Sequence, residues 1–167
     1  MILTTHIVTA GALVSALHIA DPLLAFSICV GSHYILDAVP HWEYDLASIG
    51  KRREKAESRT LTINKRTMAA DLSRIALDGI IGFALLLFSS PLGLMNVLSP
   101  LFLSIVIGST LPDILQPLGL LIKKPPFSTV HDIGQAIHSK KFLPALPWGI
   151  ATQASLIGAS ILTLLVV

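Results

Sequence analysis

The stretch VLSPLFLSIVIGSTLPDILQPLGLLI, residues 97–122, contains a single charged side chain, Asp113. A helix needs about 20 mostly apolar residues to cross a lipid bilayer, and four more apolar blocks of comparable length occur in this chain of 167 residues, which is 53% hydrophobic. Backbone groups inside lipid must find hydrogen-bond partners within their own segment. We therefore predict an all-α, polytopic integral membrane bundle that forms a single domain (residues 1–167) of about five transmembrane helices. The other four predicted spans are 2–20, 22–39, 68–89 and 142–167.

The positive charges are concentrated in two loops. Of the 12 Lys and Arg residues, all but Arg74 fall in the loops 40–67 and 123–141. Short basic loops stay on the cytoplasmic side of a membrane. We predict a multi-pass protein of the inner (cytoplasmic) membrane, with the N-terminus and both basic loops in the cytoplasm. The first block lacks the basic leading segment of a signal peptide, so we expect it to be retained as a helix.

The basic loops also indicate partners. Anionic lipid headgroups attract such segments, and a specific protein or nucleic-acid site is the alternative. No aromatic side chain interleaves with the basic residues of 51–66, and aromatic stacking is the usual companion of single-strand binding. We therefore expect membrane lipids rather than nucleic acid as partners, and predict no particular oligomeric state.

Two segments that end predicted spans resemble each other. Residues 31–40 read GSHYILDAVP and residues 108–117 read GSTLPDILQP. The match predicts a repeat of two helical hairpins, with chance similarity as the alternative. A repeat would bring Asp37 and Asp113 together near the middle of the bundle, with His6 and Asp78 close by.

His33, Asp37 and His41 are spaced four residues apart, and this spacing places side chains on one face of a helix. Imidazole and carboxylate groups are ordinary ligands of Zn²⁺. Ionisable groups inside a span cost about 2.5–3.5 kcal/mol each, so they mark function. The alternative for each histidine is a hydrogen bond to a neighbouring helix, and Pro40 could turn His41 away from the others.

Further candidate ligands stand near the same predicted membrane face. The proline before Asp113 opens the helix there and suits a site. His131 and His138 share a face if 129–139 is helical, and are exposed surface histidines otherwise. His6 begins the first span, where the alternative is an interfacial polar residue. The predicted metal ligands are His6, His33, Asp37, His41, Asp113, His131 and His138, all toward the cytoplasmic half.

Two catalytic candidates lie in the third span. Asp78 sits deep in it and could orient a ligand, act as a base or bind the metal, while Arg74 could hold a substrate phosphate. The alternative is an ion cluster with Asp71 that neutralises itself. Glu43 and Asp45 could each serve as a base, but we expect both to be solvated loop residues.

Three short motifs carry a family resemblance. Thr5-His6 with Gly11, then Leu111-Pro112-Asp113, then His138-Ser139, resemble the membrane-bound, metal-dependent hydrolases of bacterial inner membranes, a family remotely similar to zinc-dependent phospholipase C. The resemblance implies His6, Asp113 and His138 as matching positions. The chain departs from the family pattern at Leu115, where a second Asp is common, and in its late motif, which lacks an Arg.

These observations predict a metal-dependent hydrolase that acts on a phospholipid or another lipid phosphate at the cytoplasmic membrane face. The expected cofactor is a divalent metal, Zn²⁺ first, with Mn²⁺ or Mg²⁺ as alternatives. An ion or metal transporter is a second hypothesis. The outer halves of the spans are apolar apart from Ser, Thr, Gln153 and Asn96, which disfavours a polar path. A non-catalytic membrane adaptor is a third hypothesis and leaves the intramembrane carboxylates without a role.

Overall fold

The fold is entirely helical. A computed structural model of the protein describes residues 1–44, 46–48, 64–89 and 97–167, and within them six α-helices occur and no β-strand. A kinked turn, Ala145–Gly149, in which the backbone of Leu146 is extended, precedes the last helix. The helices are α1 Leu3–Ala16, α2 Pro22–Ala38, α3 Lys65–Ser89, α4 Pro100–Leu121, α5 Phe127–Ile137 and α6 Ile150–Val166.

Local sequence explains where α2 and α4 begin. The carboxylate of Asp21 accepts the main-chain N–H of Leu24 at 2.7 Å, so Asp21 caps α2. Ser99 caps α4 by accepting the N–H of Phe102 at 3.2 Å. A proline follows each cap as the first helical residue, and proline suits that position because its missing N–H would have no partner there.

Each predicted apolar block contains one helix. Three helical segments are long and apolar enough to cross a membrane, namely α3, α4 and the segment Ala145–Val166, and this is consistent with a membrane protein. The helices α1 and α2 have 14 and 17 residues, fewer than the roughly 20 that a span needs. Five spans, the kind of membrane and the orientation therefore stay predictions. Asp45 and residues 49–63 of the first basic loop lie outside the described residues, as do residues 90–96.

Close helix crossings depend on two glycines. A Cβ atom on Gly82 of α3 would lie 2.8 Å from the Cα of Thr4 in α1. A Cβ on Gly108 of α4 would lie 2.8 Å from the carbonyl oxygen of Phe26 in α2. Small residues at such points let helix backbones approach one another. The glycines thus join α1 to α3 and α2 to α4. The sequence repeat that relates α2 to α4 stays a prediction.

The interior of the bundle is apolar at one end and contains polar side chains at the other. The end where α1 finishes and α4 starts is filled by Val14, Leu86, Phe102 and Leu164, all at most 2% exposed. The end where α1, α3 and α6 start contains the buried polar side chains discussed below. Large apolar side chains cover the outer surface, as at Phe88, which is 71% exposed. Such a surface suits lipid.

Candidate metal centre

Histidines and carboxylates converge at the end of the bundle where α2 finishes. They come from α1, α2 and α4 and from the segments that follow α2 and α5. Six of the seven ligands predicted from the sequence are among them, and Glu43 joins them. The group, called the polar cluster below, consists of His6, His33, Asp37, His41, Glu43, Asp113 and His138.

Asp37 occupies the middle of the polar cluster. Its Oδ1 lies 3.2 Å from Nε2 of His6, and its Oδ2 lies 3.3 Å from Nε2 of His33. On the other side, Nε2 of His41 and Nε2 of His138 each lie 3.9 Å from a carboxylate oxygen of Asp37. Asp37 therefore belongs to two sets of three ligand atoms, and within each set the atoms lie no more than 4.8 Å apart.

A second carboxylate stands beside each set. Oδ1 of Asp113 lies 3.5 Å from Nε2 of His33, and the Asp113 side chain is 33% exposed. Oε1 of Glu43 lies 2.6 Å from Nε2 of His138 and 3.1 Å from Nε2 of His41. The first set thus comprises His6, His33, Asp37 and Asp113, and the second comprises Asp37, His41, Glu43 and His138.

The interpretation of Glu43 as a solvated loop residue was wrong. Burial by itself would raise the pKa of Glu43, but hydrogen bonds with His138 and His41 outweigh it and hold this pKa well below its usual range. The carboxylate therefore stays ionised and available as a ligand. The sequence signal for it was its place two residues after His41, in the segment that directly follows the His-Asp-His helix face.

The tautomers of three histidines follow from their surroundings. His33, His41 and His138 each place Nδ1 against a main-chain carbonyl oxygen, which can only accept a hydrogen bond. Nδ1 therefore carries a proton, and Nε2 of each ring faces the carboxylates of the polar cluster. On binding a metal, Nε2 would release any proton that it shares with those carboxylates and offer its lone pair instead. Histidines that bind metals adopt this arrangement, with the second nitrogen donating to a carbonyl or carboxylate. The Nδ1 to oxygen distances are 2.7 Å to Ser109, 2.6 Å to Val39 and 3.1 Å to Ser139.

The rings of the first set also suit a bound cation. His6 and His33 stack with centroids 3.9 Å apart and planes 17° from parallel, and two protonated rings in that position would repel each other. Among the described residues, Nδ1 of His6 has no hydrogen-bond partner, and Nε2 of His6 and of His33 approach Asp37 at 3.2 and 3.3 Å without hydrogen-bond geometry. Burying an unpaired polar group costs about 1–3 kcal/mol. A metal ion on these nitrogens would remove that cost, so the residues fit a metal.

A positive charge lies beside the carboxylates. The amino nitrogen of Met1 is 2.9 Å from Oδ1 of Asp37 and 3.7 Å from Oε1 of Glu43. Oxygens of two carboxylates thus face a single point in the polar cluster. The position between Asp37 and Glu43 is therefore electrostatically suited to a cation.

The main chain fixes the position of His138. The N–H of Ser139 donates to the carbonyl oxygen of Asp37 at 2.8 Å, and the N–H of Leu143 donates to that of His41 at 3.0 Å. Helix α5 ends at Ile137, so His138 follows the helix rather than lying on its face. These contacts fold the segment after α5 back onto the end of α2.

His131 lies apart from the polar cluster. It does lie on a helix, α5, and its Nδ1 is 3.1 Å from the carbonyl oxygen of Gln116 on α4. Because α5 ends before His138, the two histidines do not share a helix face. Among the described residues, His131 belongs to neither set of ligand atoms.

The two catalytic candidates of α3 also lie outside the polar cluster. Asp78 accepts the main-chain N–H of Leu3 at 2.6 Å, the N–H of Thr4 at 3.2 Å and the hydroxyl of Thr4 at 2.6 Å. It therefore satisfies the unpaired amides at the start of α1, the helix that carries His6. Nη1 of Arg74 lies 4.0 Å from Oδ1 of Asp71, and the Arg74 side chain is 61% exposed.

Gln153 makes hydrogen bonds in the same region. The sequence did not indicate this role, because Gln153 was predicted to lie in the outer half of its span. Its Oε1 accepts the N–H of Ile2 and the hydroxyl of Thr5, each at 3.1 Å, and its Nε2 donates to the carbonyl oxygen of Trp42 at 2.7 Å. One amide thus ties α6 to the start of α1 and to the segment between His41 and Glu43.

The chain matches no protein-family model, no curated protein and no solved structure. The resemblance to membrane-bound metal-dependent hydrolases therefore stays a prediction. The geometry of the polar cluster carries the functional argument.

Proposed function

We propose that this protein is a membrane-embedded, metal-dependent hydrolase that acts on a phospholipid or another lipid phosphate at the cytoplasmic face of the inner membrane. One observation carries the proposal. Four histidine Nε2 atoms surround the carboxylate of Asp37, and Nδ1 of His6 has no hydrogen-bond partner among the described residues. Buried polar atoms normally have a partner, so this arrangement favours a bound metal ion.

The polar cluster has enough donors for two ions. The first set would hold one ion and the second set another, with Asp37 shared between them. Imidazole and carboxylate ligands suit Zn²⁺, and they also accept Mn²⁺. A divalent metal supplies Lewis acidity, which polarises a phosphoryl or acyl oxygen and activates water for attack on it.

The protein's own residues bind and position these groups. Asp113 and Glu43 keep side-chain exposures of 33% and 28%, so a substrate can reach the outer edge of the polar cluster. Asp78 acts through α1, since its hydrogen bonds set the start of the helix that presents His6. Arg74 lies one turn before Asp78 on the exposed side of α3, where it would meet an anionic headgroup.

Elemental analysis of purified protein tests the proposal. We expect near-stoichiometric zinc or manganese in the wild type, lost in His33→Ala and in Asp37→Ala. His18→Ala is the matched control, because His18 is an exposed histidine after the far end of α1. A phospholipid panel with and without chelator then tests hydrolysis. Metal-free protein from metal-replete medium would reject the metal site, and hydrolysis that is insensitive to chelator would reject its catalytic role.

A further inference from the structure

A cavity of about 470 Å³ adjoins the polar cluster. It lies between the first half of α3 and the second half of α4, and Glu43, Asp113 and His138 line it from the polar cluster. The volume falls in the range of about 300–1,000 Å³ that is typical of small-ligand sites. The cavity therefore connects the candidate ligands with space that a substrate could fill.

The walls of this cavity are apolar and reach the outside of the bundle. Leu72 and Ala76 of α3 face Ile114 of α4 across it. Leu72 is 61% exposed and Ile114 is 58% exposed, so the same side chains that line the cavity also lie at the outer surface. Since α3 and α4 are both long and apolar enough to cross a membrane, the opening between them would face lipid chains in a bilayer.

Two polar atoms of residues that line the cavity lack a hydrogen-bond partner among the described residues. Oδ2 of Asp71 accepts both the N–H and the hydroxyl of Ser48. Oδ1 lies 4.0 Å from Nη1 of Arg74 and has no hydrogen-bond partner in the described part of the chain. Within the same described residues, Nε2 of Gln135 also lacks a hydrogen-bond partner, and both side chains line the cavity. Buried polar atoms are normally paired. One acceptor and one donor together suit a lipid headgroup that carries a hydroxyl and an ester or phosphate oxygen.

We propose that this cavity binds one membrane lipid, which enters sideways between α3 and α4. The proposal rests on the proposed function and names its substrate class as a lipid taken directly from the bilayer. The acyl chain packs against Leu72, Ala76 and Ile114. The polar part binds Asp71 and Gln135 and places its scissile bond beside the polar cluster.

A photoactivatable phospholipid with a diazirine in its acyl chain tests this route. The full-length protein is reconstituted with a small fraction of this lipid, and crosslinked peptides are identified by mass spectrometry. Ala76→Phe fills the cavity. Ala70→Phe is the matched control, because Ala70 is exposed on the same helix and does not line the cavity. We expect crosslinking within 68–79 and 110–121, reduced about tenfold in Ala76→Phe, which corresponds to roughly 1.4 kcal/mol, and unchanged in Ala70→Phe.

Gly79→Leu provides a second variant on the same wall. A Cβ on Gly79 would meet only Leu3, at 3.7 Å, so the backbone tolerates the change, and we expect the same loss of crosslinking. Uniform labelling of every outward helix face, equal in Ala76→Phe and Ala70→Phe, would overturn the proposal.

The experiment also separates this proposal from the metal hypothesis. Asp37→Asn removes a ligand of both sets without changing the cavity walls. If cavity crosslinking persists while neither wild type nor variant contains metal, the lipid site stands and the hydrolase proposal fails. The opposite outcome has two parts: the wild type contains metal and cleaves a soluble short-chain phosphoester, and Ala76→Phe cleaves long-chain lipid as fast as the wild type does. In that case the lateral route fails and the hydrolase proposal stands.

Discussion

The imidazole ring of His6, on α1, stacks on the ring of His33, on α2, with centroids 3.9 Å apart. His33 is anchored by its hydrogen bond to the carbonyl of Ser109, whereas Nδ1 of His6 has no hydrogen-bond partner among the described residues. The packing of α1 against α2 and α4 therefore holds two imidazoles side by side, with Nε2 of each close to Asp37.

Replacing Asp37 with asparagine should remove metal from the protein. Asparagine has nearly the same shape, but it loses the negative charge that both sets of ligands share. Metal binding to the folded state stabilises it by about 4 kcal/mol when the free metal is 1,000 times the dissociation constant. We expect a chelator to lower the Tm of the wild type in detergent and to leave the Tm of Asp37→Asn unchanged. An equal chelator effect on both proteins would contradict the assignment.

Two further variants should show whether the polar cluster binds two separate ions. Glu43 contacts only His41 and His138 among the histidines, and Asp113 contacts only His33. We expect Glu43→Gln to weaken one ion and Asp113→Asn to weaken the other, each leaving about one ion per chain, because loss of a hydrogen-bonding or ligating neighbour typically costs about 10–100-fold in affinity. Metal titration of the apoprotein, followed by calorimetry, measures this. If both variants weaken the same single ion, the two-ion arrangement is wrong.

The Asp78→Ala variant should show whether Asp78 positions His6 or acts in catalysis. Loss of a helix cap costs about 0.5–2 kcal/mol, and the start of α1 would loosen around His6. We expect a lower Tm and weaker metal binding, with kcat largely recovered when metal is saturating. Thr4→Val removes the hydroxyl that bonds to Asp78 and should act in the same direction but more weakly. A kcat that stays low in saturating metal would instead make Asp78 a base.

Gly82→Ala should destabilise the bundle. The new Cβ would lie 2.8 Å from the Cα of Thr4, a main-chain atom that cannot move without shifting α1. Overpacking of this kind costs about 1–3 kcal/mol. Gly31→Ala is the control, because nothing lies within 4 Å of a Cβ there and alanine favours a helix over glycine. Thermal unfolding in detergent should show a lower Tm for the first variant and an equal or higher Tm for the second.

Local patterns predicted the helices well. The predicted block 22–39 corresponds to α2, Pro22–Ala38, and the block 68–89 corresponds to α3, Lys65–Ser89. Apolar runs, caps and prolines act within a few residues of each other, so they can be read along the chain. The spacing of His33 and Asp37 placed both on one helix face for the same reason.

Contacts between distant segments could not be predicted in this way. Glu43 and His138 are 95 residues apart and form a hydrogen bond of 2.6 Å, which depends on how the segment after α5 folds back. Asp78 is 75 residues from Leu3, whose main-chain N–H donates to it. The position of Asp78 deep in α3 could not by itself indicate that partner.

By itself, the sequence determined that this chain forms apolar helices and that several ionisable side chains gather near one end of them, because helical periodicity and capping are local properties. Only the tertiary structure decided which groups meet. It centred four histidines on Asp37, added Glu43, assigned Asp78 to the start of α1 and left His131 outside. The physical reason is that ligand geometry depends on atoms from separate helices and loops, whose relative positions follow from close helix packing and main-chain hydrogen bonds between segments far apart in the chain.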